Sequence, residues 1–394
     1  MIPFSSRVPD GFEPNRIHRA LAARRAAGAR LLDLTETNPT RVGLPAPPAT
    51  AWAGLAADAR APYAPEPLGS DAARRAVADD YAARGLAVAP ERVALTASTS
   101  EAYAHLFRLL ADPGGEFLVP EPSYPLFAPL AALEGVRLVP YPLRYRDGRW
   151  DADLLAIEAL AGPAARGLIV VHPNNPTGSL VGESDARALE ALCADHGLAL
   201  VADEVFGDFL LAPALGRRAS FVTATRALTF VLSGLSKACG LPQAKLAWIV
   251  AAGPEAEVAR ALAHLEWVAD AHLSVSSAIQ GALPDLLRAR PAFLAAARER
   301  LRANLAALDR ALAGLAGVER LGCEGGWSAV VRVPSRRSEE EWVCALIERD
   351  VVVHPGHFFD FPEEAYLVVS LLPEPGDFAE AAGRLRAALS GWSA

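Results

Sequence analysis

The stretch SGLSKACGLPQAKLAW, residues 233–248, carries a lysine in an unusual setting. Lys237 lies among Ser, Gly and Ala, although free lysines prefer solvent. Two polar motifs precede it, NNPTG at 174–178 and DEVF at 203–206, and each follows an apolar run. A lysine amine can form a Schiff base with an aldehyde cofactor. Lys237 alone would fit a surface turn better than a covalent anchor, but the ordered set of motifs reverses that preference.

Working outward, apolar runs alternate with helix-like segments from about Val93 onward. The runs that predict strands are VALTAS (93–98), EFLVP (116–120), GLIVVH (167–172), LALVADE (198–204) and ALTFVLSG (227–234). Apolar runs without strict alternation are typical of strands buried on both faces. With intervening helices, they predict an α/β fold with a mostly parallel sheet covered by helices. Ligands bind beyond the carboxyl ends of such strands, so the polar motifs should converge on one rim.

A chain of 394 residues is too long for one ordinary core, so two domains are expected. The α/β pattern predicts a large domain over residues 46–285. The character changes near residue 285, where a long Ala/Arg/Leu helix is followed by short strands and two further helices. The sequence therefore predicts a smaller α+β domain formed from both chain ends, residues 1–45 and 286–394.

Composition narrows the functional classes. Hydrophobic residues make up 52% and charged residues 21% of the chain, which indicates a folded protein. The net charge of −8 argues against a nucleic-acid partner. No uninterrupted apolar stretch reaches membrane-spanning length, and the N-terminus does not resemble a secretory signal. The four cysteines are far apart without a CxxC pair, so no metal site is expected and a cytoplasmic location fits.

Taken together, NNPTG, DEV and SK in this order resemble the motifs of the class I and II aminotransferases, which are fold-type I enzymes dependent on pyridoxal 5′-phosphate (PLP). The resemblance extends from about Asp33 to Leu372. It implies that Lys237 forms the Schiff base and then moves a proton at the α-carbon of the substrate. Asp203 would lie beside the pyridine nitrogen, and Asn175 would hydrogen-bond the phenolic oxygen of the cofactor and contact the substrate. Taken singly, Asp203 would equally suit a cap and Asn175 a turn.

Further cofactor contacts are implied at the phosphate. Ser98, Thr99 and Ser100 open a helix directly after a strand, where free amides and hydroxyls favour a phosphate. Ser236 would add a hydroxyl. Lys245 stands where the family usually has an arginine, which keeps the charge but loses the bidentate fork. An ordinary Ser/Thr cap is the alternative for the first three residues.

Two tyrosines complete the implied site. Tyr124, in EPSYP, matches the aromatic residue that stacks on the pyridine ring, although a core tyrosine is the alternative. Tyr63, in YAPEPLG, resembles the tyrosine that reaches the phosphate of the neighbouring subunit. The resemblance therefore implies a homodimer.

The chain departs from the family pattern where substrates bind. Phe206 replaces the usual tyrosine of DEVY, which removes a hydrogen bond to the cofactor. Val368 stands where an arginine usually pairs with the substrate's α-carboxylate, and no arginine lies between Arg349 and Arg384. Arg41, in NPTRVG, is the first candidate to replace it.

Two histidines occur near that position. His354 and His357, in VVVHPGHFFDF, are expected to be structural or exposed, because buried histidines are often simply satisfied by their neighbours.

The resemblance implies a ping-pong aminotransferase that moves an amino group from an amino acid to a 2-oxo acid. A β-eliminating lyase of the C–S lyase type shares the cofactor residues and stays open. A transaminase for a non-standard amine, lacking the carboxylate contact, is also open. A non-enzymatic PLP-binding sensor is disfavoured, because the chain is acidic and carries no additional DNA-binding region.

Overall fold

In the computed structural model, the chain is described at residues 2, 4–9, 11, 13–60, 62–363 and 365–390. The outermost ends of the predicted small domain, residue 1 and residues 391–394, lie outside this range. Among the described helices, none combines the length and apolar character needed to cross a bilayer.

The helices and strands follow one another in the alternating order that the sequence predicts. The helices are α1 (Arg16–Ala26), α2 (Ala53–Asp58), α3 (Asp71–Ala83), α4 (Thr99–Leu110), α5 (Phe127–Glu134), α6 (Leu154–Leu160), α7 (Glu183–His196), α8 (Leu235–Ala238), α9 (Glu255–His272), α10 (Ser277–Leu312), α11 (Glu339–Ile347) and α12 (Pro375–Ser390). The strands are β1 (Leu32–Asp33), β2 (Val93–Thr96), β3 (Glu116–Glu121), β4 (Arg137–Arg146), β5 (Arg149–Ala152), β6 (Ala165–Val171), β7 (Ala199–Asp203), β8 (Thr229–Gly234), β9 (Ala247–Ala252), β10 (Glu319–Arg320), β11 (Ser328–Arg332), β12 (Val351–Val352), β13 (His354–Pro355) and β14 (Tyr366–Ser370).

The largest sheet has the order β2-β9-β8-β7-β6-β3-β4-β5. Strands β8, β7, β6, β3 and β4 are mutually parallel, whereas β9 and β5 run antiparallel to their neighbours. Residues along β7, β8 and β9 are buried throughout, so both faces of these strands are covered. The prediction of a mostly parallel α/β sheet is confirmed.

A second sheet has the antiparallel order β10-β11-β14-β13. Strand β1, near the N-terminus, pairs in parallel with β12, near the C-terminus. The backbone N–H and C=O groups of these buried strands hydrogen-bond each other, because buried backbone groups need partners. The pairing therefore holds the start of the chain against its last third.

Hydrophobic clusters form on both faces of the large sheet and around the second sheet. The 36-residue helix α10 belongs to two of these cores. Leu283 and Leu286 lie in a core of the large sheet, while Leu294 and Leu301 lie in the core around the second sheet. The helix crosses the predicted boundary at residue 285 without a break.

Candidate active site

A cavity of about 440 Å³ opens at the carboxyl ends of the parallel strands. The residues singled out in the sequence that line it are Ser98, Thr99, Ser100, Tyr124, Asn175, Asp203, Ser236, Lys237 and Lys245. Most of them lie at the carboxyl ends of β2, β3, β6, β7 and β8 or in the segments that follow, whereas Lys245 lies just before β9. The convergence follows from strand direction, since parallel strands present their carboxyl ends at the same edge.

Lys237 lies in the short helix α8, directly after β8. Its Nζ is 5.0 Å from the ring centre of Trp327 and 5.8 Å from that of Phe206. Within the described residues, no hydrogen bond or ion pair holds this ammonium group. Burial lowers the pKa of Lys237, and the Asp203 carboxylate opposes that shift. The environment therefore favours the neutral amine, which is the form that can act as nucleophile or base.

Asp203 ends β7 and is buried. Its Oδ1 accepts a hydrogen bond from the Val205 amide at 3.1 Å, and its Oδ2 accepts one from the Tyr103 hydroxyl at 3.0 Å. Burial raises the pKa of Asp203 to about 6, although both hydrogen bonds and Lys237 act in the opposite direction. A carboxylate in this setting gains from a nearby cation, because an opposite charge offsets the cost of its burial.

Sequence reasoning missed Tyr103, which is buried on α4. It lies four residues after Thr99, so both residues occupy the same face of that helix. The spacing was the available signal, but it could not show that the hydroxyl reaches across to β7.

The N-terminus of α4 lies at the cavity, which Ser98, Thr99 and Ser100 line. The Ser98 hydroxyl accepts from the Glu101 amide at 3.1 Å, so this side chain caps the helix. The amides of Thr99 and Ser100 have no partner inside the helix. Lys245 reaches the same cavity from a left-handed backbone position, with φ of 52°. These groups form a cationic donor set suited to an anion.

The two asparagines of NNPTG have different surroundings. Asn174 is buried, and its Nδ2 donates to the Pro122 carbonyl at 3.2 Å and to Thr177 Oγ1 at 2.9 Å. Asn175 instead lines the cavity, where its Oδ1 accepts from Ser328 Oγ at 3.5 Å. The turn that presents Asn175 therefore depends on the neighbouring Asn174.

Gly178 closes this turn at φ of 69°. A Cβ atom there would lie only 2.5 Å from the Gly325 carbonyl oxygen. Glycine is required because a side chain would be both strained and in collision.

The opposite side of the cavity is built from the second sheet and the segments next to it. Trp327, His354, Phe358, Phe359 and Val368 line it, and we refer to these five residues as the distal wall. Val368 on β14 is paired in register with His354 on β13.

His354, which was expected to be structural or exposed, lies at the cavity, because pairing of β13 with β14 brings it there. His357 does not line the cavity. Its Nδ1 lies 2.9 Å from Glu339 Oε2. Trp327 lay in a stretch interpreted only as a strand, so its place in the wall required the tertiary structure.

Two predicted residues lie elsewhere in the single chain. Arg41 does not line the cavity; its side chain is 73% exposed and lies 3.8 Å from the Glu36 carboxylate. Its position gives no support to the expected contact with a substrate carboxylate. Tyr63 is also 73% exposed and outside the cavity of its own chain.

Residues 46–385 match the family model of aminotransferase class I and II. The chain belongs to this family. Arginine–pyruvate transaminase AruH of Pseudomonas aeruginosa is 30% identical, over 97% of this chain and 96% of that protein. A solved aminotransferase from Escherichia coli has the same fold, with a TM-score of 0.86 at 22% identity and complete coverage of both chains.

A different activity occurs among the similar proteins. The S-alkyl-thiohydroximate lyase SUR1 of Arabidopsis thaliana is 31% identical over 55% of this chain. That alignment covers 47% of the lyase, so this chain spans about half the length of that relative.

Class I and II aminotransferases are PLP enzymes, and the groups in the cavity fit this cofactor. The free amides of Thr99 and Ser100, with the Lys245 ammonium group, suit the phosphate. The Lys237 amine suits the aldehyde carbon, and the buried Asp203 carboxylate suits a protonated ring nitrogen.

The remaining ring contacts also fit. Asn175 offers an amide for the phenolic oxygen, and the half-exposed Tyr124 offers a face for the ring. Phe206 is buried and packs 5.4 Å from Trp327, so it contributes an apolar surface without a hydroxyl.

Proposed function

We propose that this protein is a PLP-dependent aminotransferase that moves an amino group from an amino acid to a 2-oxo acid by a ping-pong mechanism. The observation that carries the proposal is the placement of the partly buried Lys237 and the buried Asp203 at adjacent strand ends. A lysine without an ion pair and with a lowered pKa, near a buried carboxylate, is suited to covalent and base chemistry.

When bound, PLP supplies an aldehyde that takes up the amino group and a ring that withdraws electrons from the substrate's α-carbon. Lys237 would hold the aldehyde and, as a neutral amine, would take the proton from the substrate's α-carbon. Asp203 would keep the ring nitrogen protonated. Its hydrogen bonds from Tyr103 and Val205 fix the carboxylate in place.

The overall reaction exchanges two functional groups without an external oxidant or reductant. The donor gives up its amino group and becomes a carbonyl compound. The 2-oxo acid gives up its carbonyl oxygen and takes the amino group. The donor with its carbonyl product forms one amine–carbonyl pair, and the 2-oxo acid with its amino product forms the other. Because both pairs use the same cavity in turn, the cavity walls must accept both.

The anchor can be tested by borohydride trapping. Purified protein loaded with PLP is reduced with borohydride, digested and mapped by mass spectrometry. We expect the adduct on the peptide that contains Lys237. An adduct on another lysine, or none, would refute the proposal.

β-Elimination is the second candidate, because a C–S lyase is among the similar proteins. The two reactions share the residues that would hold PLP and differ in product. Release of pyruvate and ammonia from a cysteine conjugate would favour the lyase. Amino-group uptake that depends on a 2-oxo acid would favour the aminotransferase.

We also propose a homodimer in which Tyr63 contributes to the neighbouring active site. The exposed Tyr63 side chain, outside its own cavity, is consistent with this role. Lys237→Ala and Tyr63→Ala are each expected to be nearly inactive. If subunits exchange randomly after mixing, about a quarter of the sites regain both residues. Light scattering that shows an active monomer would contradict the proposal.

The division into domains 46–285 and 1–45 with 286–394 remains our proposal, supported by the separate cores around the two sheets. We further propose a cytoplasmic location. Its support is that Cys193, Cys239, Cys323 and Cys344 are all free thiols, which fits a reducing compartment.

A further inference from the structure

The distal wall is mostly apolar, and this limits the class of substrate that the proposed aminotransferase can bind. The inference about that class rests on the proposed function. Three of its five members, Trp327, Phe359 and Val368, are buried, and Phe358 adds another aromatic surface. Val368 is 1% exposed and belongs to an apolar cluster with Val330. A charged group placed against this surface would lose water without gaining a partner.

The cavity offers no arginine among the residues that line it in the described chain. Its basic side chains are Lys237, Lys245 and His354. Lys237 is committed to the cofactor aldehyde, and Lys245 belongs with the α4 amides at the phosphate end. Only His354 remains for the substituent on the substrate's α-carbon.

Three hydroxyl groups that line the cavity, those of Thr35, Ser328 and Ser370, donate to other groups of the chain. Thr35 Oγ1 donates to Asp33 Oδ1 at 2.5 Å. Ser370 Oγ donates to the Glu36 carbonyl at 2.7 Å, and Ser328 Oγ donates to Asn175 at 3.5 Å. The Asp33 carboxylate accepts the Thr35 hydrogen bond and acts electrostatically on His354, so it opposes a second anion at this end of the cavity rather than attracting one.

Trp327 Nε1 also has no hydrogen-bond partner in the described chain but is fully buried, so the ring of the distal wall that offers accessible polar atoms to a ligand is that of His354. Within the described chain, its ring nitrogens make no hydrogen bond or ion pair. Burial lowers the pKa of His354, although Asp33 opposes the shift. The environment therefore favours the neutral imidazole, which has one donor and one acceptor nitrogen.

From this geometry we infer that the preferred amine substrate has a neutral polar substituent, such as a hydroxymethyl group, where an amino acid has its carboxylate. His354 hydrogen-bonds this substituent, and Val368 packs against its carbon atoms. Amino alcohols and the corresponding hydroxy ketones are the simplest members of this substrate class.

The first test measures binding without turnover. Calorimetry on the PLP-loaded protein compares 3-phenylpropan-1-ol with 3-phenylpropanoate, which have the same carbon skeleton and differ in charge. We expect the alcohol to bind at least about tenfold more tightly, since the acid loses solvation without a partner. Equal binding, or tighter binding of the acid, would overturn the inference.

The second test follows the half-reaction by the visible spectrum of the bound cofactor. L-Phenylalaninol is compared with L-phenylalanine, and L-alaninol with L-alanine, so that the preference is tested with two side chains. Faster conversion by both alcohols supports the inference, and faster conversion by both acids overturns it. If no amine changes the spectrum, the proposed function fails, while the calorimetric comparison still decides the inference.

Variants at His354 assign the preference to this residue. His354→Phe should lose most of the preference for the alcohol, whereas His357→Phe, three residues away and outside the cavity, should keep it. His354→Arg introduces a permanent cation and should favour the acid by about tenfold or more. An unchanged preference in both His354 variants would refute the role of this side chain, with folding checked by circular dichroism.

Discussion

The two ends of the active-site cavity are built on opposite principles. At the sheet end, strand termini and the start of α4 present an amine, a carboxylate and free amides, each with a fixed charge or dipole. The distal wall presents aromatic rings, Val368 and a neutral histidine. The contrast indicates that cofactor chemistry and substrate choice are carried by different parts of the chain. A substitution at the sheet end should therefore alter the turnover rate, and a substitution in the distal wall should alter the preference between substrates.

The largest effect is expected for Asp203→Asn at the sheet end. The substitution preserves size but removes the charge beside the ring nitrogen, which should lower kcat by about 10²- to 10³-fold. Steady-state kinetics with a saturating donor measure the loss. Near-normal turnover would indicate that Asp203 is only structural.

The same variant should be more stable than the wild type when PLP is absent. Burial raises the pKa of Asp203 to about 6 from an ordinary 3.8. Such a group contributes stability that is complete below its unfolded pKa and is lost as the pH rises through its folded pKa. The Tm of Asp203→Asn should therefore exceed that of the wild type at about pH 8, and this gain should vanish below about pH 4.

Tyr103→Phe should have an intermediate effect. Loss of its hydrogen bond lets the pKa of Asp203 rise further, since that bond holds it down. Turnover at neutral pH should fall by roughly three- to tenfold and recover at higher pH. Tyr141→Phe is the matched control, because its buried hydroxyl donates to the Ile169 carbonyl at 2.8 Å. An identical pH profile in both variants would mean that Tyr103 only supports the fold.

The smallest effect is expected for Arg41→Ala. Its exposed ion pair with Glu36, at 3.8 Å, contributes little, so kcat/KM should stay within about twofold for acids and alcohols alike. Activity assays on phenylalanine and phenylalaninol measure this. A selective loss on the amino acid would give Arg41 the carboxylate role and weaken the contrast between the two ends.

The residues at the sheet end could be predicted from the sequence because each of them lies in a short motif next to a recognisable strand. Lys237, Asp203 and Asn175 each follow an apolar strand, and parallel strands end at one edge. Motif order was therefore enough to place these three side chains in the same cavity. The cap of α4 at Ser98 was also readable, since Ser after a strand and before a helix is a typical N-cap.

The distal wall could not be predicted in the same way. His354 reaches the cavity through the register of β13 against β14, and short antiparallel strands do not reveal their register in sequence. Tyr103 meets Asp203 through contacts between a helix and a strand that are about a hundred residues apart. The direction of an exposed side chain such as Arg41 is also not encoded in a local pattern.

Helix α10 has a consequence for fragments of this protein. It spans about 54 Å at 1.5 Å per residue and donates side chains to the cores of both sheets. Midway along it, the buried Arg290 pairs with Asp80 and Asp208, each at 2.9 Å. A chain cut near residue 285 would divide this helix and separate the arginine from both carboxylates. Neither piece would keep a complete core. The two sheets are therefore expected to fold and unfold as one cooperative unit, and neither fragment should be stable when expressed alone.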